Sequence, residues 1–254
     1  MLDNAKREIL KHKELYATIL VVVLIIISGL VGYKKGYRFQ NNFLIGKVGT
    51  LSITIPTIQT NIFIDQNRKI TTMSDNQTVS IPLSPRSNSV IVSHDGYFPW
   101  KKDFTMPSGG NIVLSPIFVT QNATGQIILK NDPEFWEIRS RIIRDILPTK
   151  ENPRFSTDNF GAMWIEDNAV IVKVQEKMFT VIQPDTVIKN LYFYKDRSDT
   201  VVFSTNNSIY VIEVNKEGTQ NFIPIYKGKN PYFIARDIGF IYVLDGETLM
   251  QVII

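Results

Sequence analysis

Leu15 to Tyr33, LYATILVVVLIIISGLVGY, runs for nineteen residues without a charge and is bounded by Glu14 and Lys34. At a helical rise of about 1.5 Å per residue such a run reaches roughly 28 Å, close to the thickness of a bilayer's hydrocarbon core. A secretory signal also joins a basic front to an apolar middle, but that middle is about 7 to 15 residues long and gives way to small residues. Here Tyr33, Lys34 and Lys35 follow. The stretch is expected to be an uncleaved single-pass anchor, with a cleaved signal and a buried helix as the competing readings.

Lys6, Arg7, Lys11 and Lys13 precede the run, and Lys34, Lys35 and Arg38 follow it. Counting Lys and Arg favours a cytoplasmic N-terminus. Residues 1–14 are then an inner tail, 15–33 the transmembrane helix in contact with the lipid bilayer, and everything beyond it exposed outside the cell membrane. Residues 34–47 mix Tyr37 and Phe39 with basic residues, as expected of a juxtamembrane linker at the headgroup level. The roughly 220 residues beyond the run are enough for one large domain or two small ones. The formal charge is +4, from 28 Lys+Arg against 24 Asp+Glu, with no basic stripe, so nucleic acid is not an expected partner. The lack of cysteine excludes disulfides, thiolate nucleophiles and thiolate metal sites.

From Val48 the pattern has a period of two. Leu51, Ile53 and Ile55 alternate with Ser52 and Thr54, and Val79, Ile81 and Leu83 alternate again before Pro85. Further short apolar runs at Ile62–Ile64, Val90–Val92, Phe104–Met106, Ile112–Leu114 and Ile117–Val119 are separated by Pro, Gly and Asn. Such spacing predicts a small β-sandwich over residues 48–119. Gly49-Thr50-Leu51-Ser52-Ile53, Pro56, Ile64-Asp65, Val90-Ile91-Val92 and Gly96-Tyr97 occur in an order that resembles the PEGA domain, an extracytoplasmic β-sandwich family attached to membrane anchors. Pro56-Thr57-Ile58-Gln59-Thr60 stands where that family has its Pro-Glu-Gly-Ala type of turn. The resemblance implies a binding module and transfers no catalytic residue.

Residues 120–150 are expected to link two β regions through an amphipathic helix. Asp132 is placed to cap it, Pro133 sits in the first turn, and Pro148 stops it. Phe135, Ile138, Ile142 and Ile146 share one face, while Arg139, Arg141 and Arg144 lie elsewhere. The simplest role is a brace over a sheet; the alternative is a partner-binding or membrane-surface helix.

Residues 151–254 return to strands. Ala162–Ile165, Ala169–Val174, Phe179–Ile182, Leu191–Tyr194, Thr200–Ser204, Ser208–Val214, Phe222–Tyr226, Pro231–Ile234, Phe240–Leu244 and Leu249–Ile254 are separated by polar turns. The segments around Tyr210 and Tyr242 repeat an apolar strand, a polar turn and an Ile-Tyr-Val strand. These segments resemble WD-repeat-like propeller blades without the Trp-Asp dipeptide. The count comes to about two and a half blades, against at least four for a closed ring. Two readings remain: an open array completed by another chain, or an ordinary meander. Leu249–Ile254 is apolar and needs cover, within the chain or from a second copy in a homo-oligomer.

The fold class expected is therefore mainly β, with one N-terminal transmembrane helix, a small β-sandwich, a linking helix and a propeller-like antiparallel β unit. His12 and His94 have no partner at metal-ligand or triad spacing. Asp196 and Asp199 share one turn, and a solvated hairpin is a better reading than calcium. Asn76, Asn122 and Asn206 begin glycosylation-type triplets. No phosphate loop or nucleophile elbow occurs, so neither catalysis nor a cofactor is expected. Tyr97, Phe98 and Trp100 beside Lys101 and Lys102 form the expected interaction surface. The functional expectation is a membrane-anchored binding or scaffolding protein of the cell envelope that recognises protein or glycan. A single-pass sensor is the alternative, and a hydrolase of envelope polymers a third reading.

Overall fold

The computed structural model describes residues 2–39, 45–57, 59–74, 76–157 and 159–254. Residues 40–44 of the expected linker, Ile58 of the Pro56–Thr60 turn and the side chain of His12 lie outside the described residues. The chain is mainly β. Helix α1 (Leu2–Lys34) leads into β1 (Tyr37–Phe39), β2 (Ile45–Lys47), β3 (Gly49–Ile55), β4 (Asn61–Ile64), β5 (Arg68–Thr71), β6 (Gln77–Leu83), β7 (Ser87–Ser93), β8 (Trp100–Thr105) and β9 (Asn111–Leu114). Strand β10 (Gly125–Ile128) and helix α2 (Phe135–Arg144) follow. The remainder comprises β11 (Arg154–Phe155), β12 (Gly161–Glu166), β13 (Ala169–Val174), β14 (Lys177–Ile182), β15 (Asn190–Phe193), β16 (Thr200–Ser204), β17 (Ser208–Glu213), β18 (Phe222–Lys227), β19 (Pro231–Ala235), β20 (Phe240–Asp245) and β21 (Thr248–Ile253).

Two compact units result, the first made of residues 1–54, 78–87 and 105–115. Its helix α1 contains an apolar stretch, Leu15–Lys34, with none of its residues buried. A helix in a soluble core hides at least one face, so this surface suits a lipid surround and single-pass anchoring. The linker is not a plain coil. Strands β1 and β2 pair antiparallel, the Val48 amide donates to the Gly36 carbonyl at 2.8 Å, and the Arg38 guanidinium lies 3.7 Å from the Tyr33 ring centre. Gly36 has φ +85°, a conformation that glycine adopts without strain at the exit of the helix. Beyond this strand pair β3 sits between β6 and β9, and it pairs with β9 in parallel. Leu51 and Ile53 point inward and are fully buried, as their period-two spacing requires.

The second unit comprises residues 55–77, 88–104 and 116–254. It holds four four-stranded sheets, in the orders β5-β4-β7-β8, β11-β12-β13-β14, β15-β16-β17-β18 and β10-β21-β20-β19. Residues 48–119 thus supply one sheet mainly to each unit. The last three sheets hold the strands expected to form a propeller-like array. The first two follow chain order, and Asp167 and Asn168 turn β12 into β13 with φ of 51° and 59°, the positive values that a two-residue hairpin turn needs.

The third sheet corrects the count of two and a half. Its fourth strand is β10, which precedes all the others in the sequence and pairs with β21 from Gly125↔Val252 to Ile128↔Leu249. Strand β21 therefore has β20 on one side and β10 on the other, so the apolar C-terminal segment is covered inside its own chain.

Val170, Val172, Leu191, Val201 and Phe203 are among the residues forming one core between the first two of these sheets. Helix α2 covers the third: Phe135, Ile138 and Ile142 pack with Ile128, Ile234, Tyr242, Leu244 and Leu249. At about 1.5–3 kcal/mol for each large apolar side chain removed from water, these three residues are what hold the brace in place. Two expectations about α2 change. Asp132 does not cap it, because its carboxylate accepts from the Leu129 amide at 2.6 Å and leaves Glu134 at the N-cap without a side-chain bond. Ile146 lies beyond the helix, which ends at Arg144, and is exposed instead of sharing the buried face.

Candidate functional site

The five residues of the expected interaction surface straddle the end of a loop and the start of β8, and the structure divides them. Tyr97 and Phe98 remain half-buried in the loop. Tyr97 bridges Thr120, the Phe98 amide donates to the Val119 carbonyl at 2.8 Å, and the Gln121 amide donates to the Gly96 carbonyl at 2.9 Å. The Tyr97 ring meets Phe118 edge-on at 5.7 Å and His94 at 5.3 Å. Residues 96–98 and 118–121 thus brace each other.

Trp100 and Lys102 are buried, contrary to their expected exposure. Their partner is Glu213, at the end of β17. The Trp100 indole N–H donates to Glu213 Oε1 at 2.5 Å, and Lys102 Nζ lies 3.2 Å from Oε2. Asn221 completes the shell: its main-chain N–H and its Nδ2 both donate to Glu213 Oε2, at 3.3 Å and 3.1 Å. Lys102 also donates to the Asn215 carbonyl at 3.4 Å. The reason is electrostatic: an ammonium and a carboxylate survive out of water only when paired and hydrogen-bonded. Lys101 stays at the surface, 3.4 Å from Asp103. The Thr219 hydroxyl, bonded to Asp103, holds that carboxyl below its usual range. Gly218 has φ +69°, and a Cβ there would strike the Asp103 carbonyl oxygen, so only glycine lets this loop lie along β8.

With β8 and the loop fixed, an open groove of about 490 Å³ lies beside them. Phe98, Gln121, Asn122 and Ala123 line one side, and Pro224, Ile225, Tyr226 and Lys227 of β18 the other. Tyr226 donates to Asp245 Oδ2 at 3.1 Å, which holds its ring in place. Burial and then this carboxylate push the phenol up to about 12. The groove offers apolar surface from Phe98, Pro224 and Ile225, two carboxamides, the Tyr226 phenol and the Lys227 side chain. It is suited to sheltering an aromatic or aliphatic side chain, or a sugar face, with polar groups fixing orientation.

The other singled-out residues do not join this groove, apart from Asn122. Asp199 is held by Arg197 through two bonds, at 2.9 Å and 2.8 Å, and by Thr200, and these outweigh burial to keep its carboxyl low. A carboxylate so engaged has little left for calcium, and no group of three or more metal-ligating side chains occurs among the described residues. The asparagines of the three triplets, Asn76, Asn122 and Asn206, are exposed, whereas Ser208 of the third is buried.

Sequence reasoning missed Glu213 and Asn221. The available signal was Glu213 itself, a carboxylate ending the apolar run Ile209-Tyr210-Val211-Ile212, which requires a cation at that depth. Comparisons with protein families and with curated proteins give no match to this chain.

Proposed function

We propose that this chain is a single-pass protein of the cell membrane, its N-terminal tail cytoplasmic and its β units outside, which binds a protein or glycan partner of the cell envelope without catalysis. The observation that carries the reading is the Leu15–Lys34 stretch, long enough to span and with no residue buried, on a chain that is otherwise mainly β. The groove beside Phe98 supports a binding role, since its loop wall is held by main-chain bonds between residues 96–98 and 119–121 and its other wall is strand β18. The PEGA-like and blade-like resemblances fit the same picture of tethered recognition modules.

The test is capture from envelope fractions by the full chain in detergent micelles, alongside Phe98→Ala and Lys227→Glu. A partner retained by the wild type and lost by both variants, with melting unchanged, is the expected result. Equal retention by all three removes the groove from the proposal, and turnover of an envelope polymer without retention replaces binding by catalysis. Protease treatment of intact cells checks orientation: the β units are cleaved before lysis if they face outward.

A further inference from the structure

The buried face of α2 explains only half of that helix. Its outward side is not the polar surface that a brace needs. Trp136 is 60% exposed and Ile143 is 57% exposed, and just beyond the last turn Ile146 is 77% exposed. Trp136 and Ile143 are seven residues apart and so fall along one line of the helix, with Arg139 on one flank and Arg144 on the other. The Arg139 guanidinium stands 5.9 Å from the Trp136 ring centre. Arg141, farther round, is neutralised by Glu137 at 2.8 Å.

We infer that this ridge of α2 is a membrane-surface element that seats Trp136, Ile143 and Ile146 in the headgroup region of an anionic leaflet, with Arg139 and Arg144 against the lipid phosphates. The charges match that occupant. From 134 to 144 three arginines stand against two glutamates; Arg141 is paired with Glu137, Arg139 is only partly offset by Glu247, which is held chiefly by Lys130, and the net positive charge lies beside the apolar ridge. Tryptophan is the side chain most at home at the headgroup boundary, an isoleucine beside it reaches the acyl chains, and flanking cations draw on the negative surface potential. A bilayer is also the occupant that the chain itself supplies, since Leu15–Lys34 is long and apolar enough to tether it to one. The inference rests on the reading of α1 as an anchor. The helix then has two occupants, the third blade-like sheet on its inner face and lipid on its outer one.

The chain contains three tryptophans, and the other two, Trp100 and Trp164, are only 3% and 6% exposed. A quencher carried by lipid therefore reaches Trp136 and not the two buried tryptophans. The full chain is reconstituted into nanodiscs of phosphatidylcholine, with or without phosphatidylglycerol, made with plain or brominated acyl chains. The Trp136 contribution is taken as the difference from Trp136→Phe. The expected result is quenching by bromine of about twofold or more in anionic discs, much less in phosphatidylcholine alone, and its loss in Arg139→Gln/Arg144→Gln. Equal Trp136 fluorescence in brominated and plain anionic discs overturns the inference, as does quenching that ignores lipid charge. Unquenched Trp136 that crosslinks to a second protein also overturns it and assigns the ridge to a protein partner. The anchor is read separately, by resistance of the chain to alkaline extraction. A chain that is extracted but whose Trp136 is quenched by added anionic vesicles refutes the anchor and keeps the surface helix.

Discussion

Asn221 hydrogen-bonds to both main-chain groups of Lys101: its Oδ1 accepts from the Lys101 amide at 3.1 Å, and its Nδ2 donates to the Lys101 carbonyl at 2.8 Å. A carboxamide here does what a neighbouring strand would do, covering one position on the outer edge of β8, the terminal strand of its sheet. The same Nδ2 reaches Glu213, so edge protection and the buried ion pair share one side chain. Asn221→Asp keeps the acceptor for the Lys101 amide but turns both donor contacts into oxygen facing oxygen. A loss of about 1–3 kcal/mol is expected, larger than for Asn221→Ala, from denaturant unfolding of the full chain in micelles.

Removing the carboxylate of Glu213 leaves a buried ammonium with only the Asn215 carbonyl as acceptor and a buried indole N–H with none. Glu213→Ala is expected to cost about 3–5 kcal/mol, whereas Glu213→Leu combined with Lys102→Met recovers most of it, because the buried charges leave together. A double-mutant cycle on the unfolding free energy checks this; simple additivity of the two changes would show that the pair is not coupled.

Asp245 and Tyr226 predict opposite arms of the pH profile. Burial alone would raise Asp245, but the amides of Asn230 and Lys229 and the Tyr226 hydroxyl outweigh it and hold the carboxyl low. Its stabilisation is complete above the unfolded value of about 3.9 and is lost as pH falls through the lower folded value. Tyr226 is raised to about 12, so its contribution is complete below the unfolded value of about 10 and disappears as pH climbs toward 12. Melting temperature measured across pH should fall at both ends, and Tyr226→Phe should flatten part of the alkaline fall while weakening the acid side through loss of its bond to Asp245.

At Gly125, β10 leaves no room for a side chain against β21. A Cβ there would run into the Gln251 carbonyl, and main chain cannot step aside without releasing the ladder. Gly125→Ala is expected to open the Gly125–Ile128 pairing, accelerating amide exchange in Leu249–Val252, while Gly239→Ala, where the added atom meets only ordinary contact, leaves exchange unchanged.

Much of this architecture is local and was legible. Leu51 and Ile53 alternate because their strand is buried on one side, and Phe135, Ile138 and Ile142 mark the inner face of α2 by their spacing alone. Trp100 and Lys102 were misjudged for the opposite reason. An aromatic beside two lysines has the composition of a surface, and what buries it is a carboxylate more than 100 residues away that no short window contains. Strand β10 was equally hidden: Gln126–Leu129 is recognisable as a strand, but nothing near it says which sheet it completes. The groove beside Phe98 inherits that limit, since one wall is a loop and the other a strand far along the chain.

The pairing of Gln126 with Gln251, 125 residues apart, also sets a timetable. A chain made from its N-terminus releases β10 before any other strand of the three blade-like sheets exists, and β21 after all the others. Throughout synthesis of the intervening segment β10 has no partner, and the last sheet cannot lock until translation has passed β21. Closing so long a loop is slow by its entropy alone. The nascent protein therefore spends its most aggregation-exposed interval with an apolar strand waiting, and a ribosome that stalls anywhere between the two leaves a product with every blade strand up to that point and no latch.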